Sequence, residues 1–219
     1  MEDPPRWLAA YGDVPHHLAY PECSLHDAIM ATVRRVPDAV AYDFLGATAT
    51  YREFGRLIDQ AADGLASLGM GQGDRLTIAL PTSPQGVIAF YAANRLGAVS
   101  AMIHPLSTAP EVERLITLSR SRFALTLDAL YDRFAGALGR TPLETLILTR
   151  LSDPLTPLRK MGFRLVQGRK IPAVPRDAPV RWWNDLVTRA APPAPRPALD
   201  THAMAGILFQ YVHRRRLRR

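Results

Sequence analysis

The glycine-rich run Gly69-Met-Gly-Gln-Gly-Asp74 is the first stretch of this sequence whose spacing suggests chemistry. Glycines in a turn between a strand and a helix let the backbone approach the pyrophosphate of a dinucleotide. Here the glycines follow a predicted helix and precede a predicted strand, and the third glycine of the fingerprint is absent. We therefore interpret the run as a helix C-cap followed by a loop.

Histidines and the single cysteine suggest a second kind of site, one for zinc. Cys23 and His26 have CxxH spacing, and His16 and His17 precede them. No second pair completes a tetrahedral ligand set, so we predict no metal site. His104 follows a predicted strand and is interpreted as a hydrogen-bonded loop histidine rather than a general base. The nucleophile elbow GxSxG and the phosphate loop GxxxxGK[ST] are both absent from the sequence. Residue types alone therefore predict no catalytic and no cofactor-binding residue.

The elements that would position any site alternate between helix-like and strand-like segments from about residue 24. Capping boxes predict three helix starts, at Ser24/Asp27, Thr50/Glu53 and Thr108/Glu111. Ser83-Pro84 predicts the start of a further helix. The predicted strands are 40–45 and 47–51, which form a hairpin, and 75–80, 98–103, 123–127 and 143–148. Strands that alternate with helices indicate an α/β fold with a mostly parallel sheet and flanking helices.

The character of the chain changes after residue 150. Residues 151–200 form a Pro-rich basic segment, in which one short helix is predicted over 182–187. Pro192–Pro197 is interpreted as a stiff extended linker outside the core. Residues 203–209 are predicted to form one more buried strand.

Charge and composition limit the classes of protein that remain. The 219-residue chain has a formal net charge of +7 and a single cysteine. Five arginines fall in the last six residues, 214–219, so much of the positive charge belongs to this tail. No apolar stretch reaches the ~18 residues of a membrane span, and the acidic, Pro-broken N-terminus does not resemble a secretory signal. These features predict a soluble, cytoplasmic protein.

An ordered series of motifs resembles the AMP-forming acyl-CoA synthetases and their adenylating relatives, and is most similar to bacterial long-chain fatty acid–CoA ligases. The matching segments are Thr50-Tyr-Arg-Glu-Phe54, Leu68-Gly-Met-Gly-Gln-Gly-Asp-Arg75, Ala79-Leu-Pro-Thr-Ser-Pro-Gln85, Phe90-Tyr-Ala-Ala-Asn-Arg-Leu-Gly-Ala-Val99, His104-Pro-Leu106 and Thr126-Leu-Asp128. The resemblance implies that residues 1–210 are the N-terminal portion of an AMP-binding domain, and so an incomplete one.

The same resemblance implies a reaction and its cofactors. Such enzymes use ATP and Mg²⁺ to convert a carboxylate into an acyl-adenylate, and the thiol of coenzyme A then displaces AMP. A Ser/Thr/Gly-rich loop ending in Pro-Lys-Gly binds the phosphates, directly after a strand like Ala205-Gly-Ile-Leu-Phe-Gln210. That loop and the later family motifs have no counterpart here. We therefore carry over no catalytic, cofactor-binding or metal-binding residue, and expect this polypeptide to be inactive alone.

The tail 211–219 is expected to be out of frame. With GC-rich codons, assumed here, Tyr211-Val-His-Arg-Arg-Arg-Leu-Arg shifted by one base becomes Thr-Ser-Thr-Gly-Gly-Asp-Ser-Gly, which resembles the phosphate loop. Two alternatives remain beside a truncated ligase: a non-catalytic interaction module, and weak nucleic-acid binding through the arginine tail. The second is disfavoured because no aromatic side chains interleave the basic ones.

The basic stretch 158–171 carries a separate hypothesis. Its apolar residues alternate with cationic ones, among them Arg159, Lys160, Arg169 and Lys170. This pattern is compatible with peripheral contact with an anionic membrane. A solvated surface insertion is the competing interpretation.

Overall fold

The structure is a computed structural model, and it describes residues 6–15, 18–166, 171, 173–189, 191–198 and 200–209. The helices are α1 (Leu25–Arg35), α2 (Tyr51–Ser67), α3 (Pro84–Arg95), α4 (Ala109–Ser119), α5 (Tyr131–Ala135), α6 (Pro157–Val166) and α7 (Trp183–Thr188). The strands are β1 (Val40–Phe44), β2 (Ala47–Thr50), β3 (Arg75–Ala79), β4 (Val99–Met102), β5 (Phe123–Leu127), β6 (Thr145–Thr149), β7 (Val180–Trp182) and β8 (Gly206–Leu208). Short 3₁₀ turns span Arg6–Ala10 and Asp128–Leu130.

Six strands form one parallel sheet in the order β7-β6-β5-β3-β4-β8, and β1 and β2 form a separate antiparallel hairpin. The predicted α/β class and mostly parallel sheet are thus confirmed. Among the described residues, no helix has the length and apolar character needed to cross a membrane.

Helices cover both faces of this sheet, as a parallel sheet requires. Leu76 and Ile78 of β3 point to the face covered by α2, α3 and α7, whereas Ala79 belongs to the cluster under α4 and α5. On the first face, Ile58 of α2 is fully buried, which stabilises the fold by about 1.5–3 kcal/mol for a side chain of this size. Both faces of the sheet are therefore hydrophobic core.

The local signals for helix starts are confirmed in atomic detail at two of the capping boxes. The Thr50 and Thr108 hydroxyls each accept from the backbone of the third helical residue, and the Glu53 and Glu111 carboxylates bond back to the cap residue. Ser24 likewise accepts from the backbone N–H of Asp27, at 3.0 Å.

Ser83 departs from the prediction. It lies at the N-cap of α3, but its hydroxyl makes no capping hydrogen bond. Its Oγ is instead buried without a hydrogen-bond partner among the described residues. The helix start at Ser83-Pro84 is therefore supported by Pro84 in the first turn rather than by a side-chain cap.

Two predictions about the segment after residue 150 are wrong. The linker around Pro192–Pro197 is irregular, as expected, but Ala194 within it is buried in the core beside α2. The strand predicted as buried over 203–209 is the short edge strand β8, and its Leu208 side chain is 82% exposed. In both cases long-range packing, which periodicity does not report, decides burial.

One close approach shapes the packing of α7 on α2. A Cβ added to Gly64 would lie 2.6 Å from the backbone oxygen of Leu186, so only glycine fits there. Trp183, at the start of α7, is buried in the same core. The chain thereby returns from β7, at one edge of the sheet, across α2 toward β8 at the other.

Candidate functional site at the carboxyl edge of the sheet

The strand order creates a crevice between β3 and β5. From β3 the chain runs to β4 on one side, and then crosses to β5 on the other. Ligands of open α/β sheets bind outside the carboxyl ends of the strands at such a switch point. The loops that follow β3, β5 and β6 meet at this edge, and we take it as the candidate site.

Gln85, in the first turn of α3, connects two of these loops. Its Nε2 donates to the carbonyl oxygen of Arg150, at 3.0 Å, and lies 3.4 Å from Thr149 Oγ1. Its Oε1 is buried without a hydrogen-bond partner among the described residues, as is Ser83 Oγ. Buried acceptors are normally satisfied, so the edge retains unused hydrogen-bonding capacity at these two side chains.

Asp128, directly after β5, supplies a buried carboxylate. Burial raises its pKa, while Arg150 and the Ala129 N–H oppose the shift. Arg150 Nε lies 3.5 Å from Asp128 Oδ2, and its guanidinium stacks 4.1 Å from the centre of the Trp182 ring. Arg150 is thus held in place by an ion pair and a cation–π contact.

Asp153 completes the polar network. It accepts from the Arg150 backbone N–H at 3.0 Å, and Thr149 Oγ1 and Lys160 Nζ each lie 3.4 Å from it. These bonds order the loop after β6 and pair both cations with carboxylates. This arrangement can orient a polar ligand, and it contains no nucleophile–base pair among the described residues.

An apolar groove opens beside Ser83. Its volume is about 310 Å³, and its walls include Tyr42 and Phe44 of the hairpin, Phe54 of α2 and Tyr91 of α3. The Phe54 ring meets Tyr42 and Tyr91 edge to face, with ring centres 6.0 and 6.1 Å apart. Burial raises the pKa of both tyrosines. The groove therefore favours a hydrocarbon or aromatic group over a charged one.

The residues considered for zinc lie elsewhere. Cys23 and His26 are near the opposite, amino edge of the strands, where a cavity of about 500 Å³ also borders Arg75 and Asn94. No group of three His, Cys, Asp or Glu among the described residues could hold a metal ion. His16 and His17 are outside the described residues.

His26 is buried and is held by contacts within the fold. Its backbone N–H donates to Asn94 Oδ1, at 2.7 Å. Its imidazole is almost fully buried, and this burial lowers its pKa. Asp59 Oδ1 lies 3.9 Å from its Nε2.

The remaining sequence candidates are also explained locally. His104 is an exposed loop residue, and its Nδ1 accepts from the Leu106 N–H at 3.1 Å, as predicted. Gly69 and Gly73 have positive φ in the turn between α2 and β3, which confirms the loop interpretation.

The polar residues of the carboxyl edge were not predicted as site residues, because they come from loops far apart in sequence. Two signals were available: their position after predicted strands, and the fact that Gln85 and Asp128 each end a motif that resembles the family.

Comparisons with known proteins agree with this architecture. A family model described as AMP-binding enzyme matches residues 29–208. The long-chain-fatty-acid–CoA ligase of Bacillus subtilis (strain 168) is 27% identical over 172 residues, which are 78% of this chain and 31% of that protein. The 4-coumarate–CoA ligase 5 of Oryza sativa subsp. japonica is 30% identical over 134 residues, 60% of this chain and 24% of that protein.

The fold of a solved ligase is also similar. The benzoate CoA ligase of Burkholderia xenovorans LB400 aligns with a TM-score of 0.64 at 20% identity, and the match covers 84% of this chain and 32% of that one. The chain thus spans about a quarter to a third of the length of these relatives. Because the family model covers most of the chain, from α1 through β8, the chain belongs to the AMP-binding enzyme family of adenylate-forming ligases.

Proposed function

We propose that this chain supplies the N-terminal scaffold of an ATP-dependent acid–thiol ligase that acts in the cytoplasm on long-chain fatty acids. The family match that runs without a break from α1 to β8 carries the proposal. In the family reaction, the carboxylate attacks the α-phosphate of ATP, and coenzyme A then displaces AMP from the acyl-adenylate. The thioester is the product.

The groove supports an apolar acyl substrate. Its aromatic walls, and the burial that raises the pKa of Tyr42 and Tyr91, indicate a largely apolar surface, with Asp43 as the charged residue of its lining. The polar network from Gln85 to Asp153 offers fixed donors and acceptors at the adjoining strand ends. These residues bind and orient, and we assign none of them a bond-making role.

The family also implies Mg²⁺. The described residues contain no group of three metal-ligating side chains, and proteins commonly hold Mg²⁺ through one or two carboxylates together with substrate phosphates, so we assign none of these residues to it. Within the 219 residues there is also no Ser/Thr/Gly-rich loop ending in Pro-Lys-Gly. We therefore propose that the 219-residue polypeptide forms no acyl-adenylate by itself. Preorganised donors around the phosphates are required for that step.

The first test assays this polypeptide directly. Purified residues 1–219 are incubated with ATP, Mg²⁺ and palmitate, and pyrophosphate release is measured, with the Bacillus subtilis ligase as the positive control. No release above background is expected. Formation of palmitoyl-adenylate by the polypeptide would show that the proposed inactivity is wrong.

The second test asks whether the scaffold supports the family reaction. Residues 29–208 replace the corresponding segment of the Bacillus subtilis ligase, and thioester formation is measured with palmitate, 4-coumarate and acetate. Activity greatest with palmitate is expected. A folded chimera active only with acetate or 4-coumarate would contradict the fatty-acid substrate, and one inactive with all three would contradict the ligase proposal.

A further inference from the structure

Two arginines beside strands of the parallel sheet have nearly the same exposure, yet their guanidinium groups are used differently. Arg122 directly precedes β5, at the amino edge, and Arg150 directly follows β6, at the carboxyl edge. Their side chains are 42% and 43% exposed. Each guanidinium lies over an aromatic ring, that of Phe123 or of Trp182. What differs is the set of groups that their guanidinium nitrogens contact.

All three guanidinium nitrogens of Arg122 donate to carboxylates. Nε and Nη2 donate to the two oxygens of Glu144, at 3.0 and 2.8 Å, and Nη1 donates to Asp74 at 2.7 Å. The pair of bonds to Glu144 is the bidentate geometry that arginine forms with a carboxylate. The Arg122 guanidinium is therefore fully used in contacts within the fold.

The guanidinium of Arg150 keeps an open edge. Its Nε lies 3.5 Å from Asp128 Oδ2, which is longer than the ~2.7–2.9 Å of a charge-assisted hydrogen bond. Neither Nη1 nor Nη2 has a hydrogen-bond partner within the described part of the chain. Asp128 is itself engaged by the Ala129 N–H, at 2.8 Å. Two coplanar donor groups are therefore available at the carboxyl edge of the sheet.

Arg150 is also held rigidly in this position. Its backbone N–H donates to Asp153 Oδ2 and its carbonyl oxygen accepts from Gln85 Nε2, both at 3.0 Å. Its guanidinium carbon lies 4.1 Å from the centre of the Trp182 ring. Aromatic stacking and the ordered backbone reduce the entropy that the side chain loses when a ligand binds. The open edge of Arg150 is therefore preorganised.

We propose that Arg150 binds an oxyanion of the ligand, a carboxylate or a phosphate, through its two terminal nitrogens. The planar fork of a guanidinium matches both groups, and ligands of open α/β sheets bind outside the carboxyl ends of the strands. Trp182, Gln85 and Asp153 are positioning residues, because they act through Arg150. The inference rests on the proposed function for its ligand, since an acid–thiol ligase binds both a carboxylate and phosphates.

The polar network around Arg150 pairs two cations with two carboxylates. These four charged residues are Arg150, Lys160, Asp128 and Asp153. Arg169 and Lys170, the other cations considered for anion contact, lie outside the described residues. The planar fork, rather than a basic surface, therefore supplies the selectivity. Lysine at this position would keep the charge but lack the two coplanar donors.

The test measures anion binding to the 219-residue protein at constant ionic strength, from the NMR shift of the Trp182 indole N–H, which a Trp182→Phe variant assigns. Octanoate supplies a carboxylate and pyrophosphate supplies phosphate, so the two titrations distinguish the source of the oxyanion. We expect at least one of them to shift the signal. Arg150→Gln should weaken binding at least about tenfold, the effect of losing hydrogen bonds to a charged group. Arg150→Lys should also weaken binding, although the charge is kept.

Arg122 provides the matched control. Arg122→Gln and Arg122→Lys make the same changes of charge at a similarly exposed, stacked arginine. They should lower Tm and leave anion binding unchanged. The arginines of residues 214–219 are common to all these variants, so anions bound there contribute equally. Equal losses in the Arg122 and Arg150 variants, wild-type binding by Arg150→Lys, or no response to either anion would each overturn the proposal.

Anion binding is measured without turnover, so its result is separate from the test of the proposed function. An inactive chimera, together with anion binding that depends on Arg150, would contradict the proposed function alone. An active chimera, together with anion binding that does not depend on Arg150, would contradict this inference alone.

Discussion

The Asp63 carboxylate of α2 accepts a hydrogen bond from the backbone N–H of Ala194, 2.8 Å away and 131 residues later in the chain. The same oxygen accepts from Arg95 of α3, at 3.1 Å. Arg95 is buried and also lies 2.9 Å from Asp59. The Pro-rich connection is therefore fastened to α2 and α3 before it enters β8.

Asp63→Ala should destabilise the fold by about 3 kcal/mol. The substitution removes one of the carboxylates that pair with the buried Arg95, and it leaves the Ala194 N–H without its acceptor. Urea unfolding provides the measurement. Asp38→Ala is the control, since Asp38 pairs with Arg52 at 2.9 Å but both side chains are exposed. That surface pair should contribute less than about 1 kcal/mol. Equal losses in the two variants would contradict the role given to Asp63.

Gly64→Ala should destabilise the fold by about 1–3 kcal/mol, because the new methyl group meets the backbone oxygen of Leu186 and forces α7 away from α2. Trp183 fluorescence reports on this displacement, since the indole is buried at the start of α7. Gly162→Ala in α6 meets no atom within 4 Å. That control should be neutral or stabilising by about 0.5–1 kcal/mol. A stable Gly64→Ala with unchanged fluorescence would rule out the close approach.

The free energy of unfolding should decrease as pH is lowered, because His26 is buried in its neutral form. Desolvation is the largest cause of its lowered pKa and Arg196 adds to it, whereas Asp59 and Asp27 oppose the shift. A lowered folded-state pKa means that the unfolded chain binds the proton more readily. The contribution of His26 is thus complete above the ordinary value of 6.5 and is lost as pH falls below it, at up to about 1.4 kcal/mol per pH unit.

His26→Gln should flatten this part of the stability–pH curve, as followed by urea unfolding at a series of pH values. His202 is exposed, so His202→Gln should leave the curve as it is in the wild type. If both variants keep the wild-type dependence, another group is responsible for it.

The coding sequence tests the expectation about the tail. A change of frame near codon 211 predicts that the next frame encodes a Ser/Thr/Gly-rich loop followed by Pro-Lys-Gly. Sequencing the nucleotides from codon 200 onward checks this. A next frame without such a loop would exclude the frame change. If the loop is present, repeating the nucleotide sequencing would show whether the frame change belongs to the gene or came from a misread base.

Local sequence determined most of the regular elements of this protein. The Thr50/Glu53 and Thr108/Glu111 boxes specify helix starts, because their bonds close within one turn. Apolar strands between such helices specify a parallel α/β sheet, and the ordered motifs specify the family.

The tertiary structure decided the features that depend on distant partners. Strand β7 is three residues long and exists because it pairs with β6, and β8 likewise depends on β4. Ala194 is buried in the hydrophobic core, and its backbone N–H donates to Asp63, which is remote in sequence.

The candidate site was beyond local reasoning for the same reason. Gln85 and Asp128 each end a family-like motif, but nothing local relates them to each other or to Arg150, and only the strand order brings their loops to one edge. Capping and hydrophobic periodicity depend on interactions between residues close in sequence, whereas sheet order and burial depend on interactions throughout the packed chain. The sequence by itself therefore determined most of the regular elements and the family, and the packing decided where the candidate site lies.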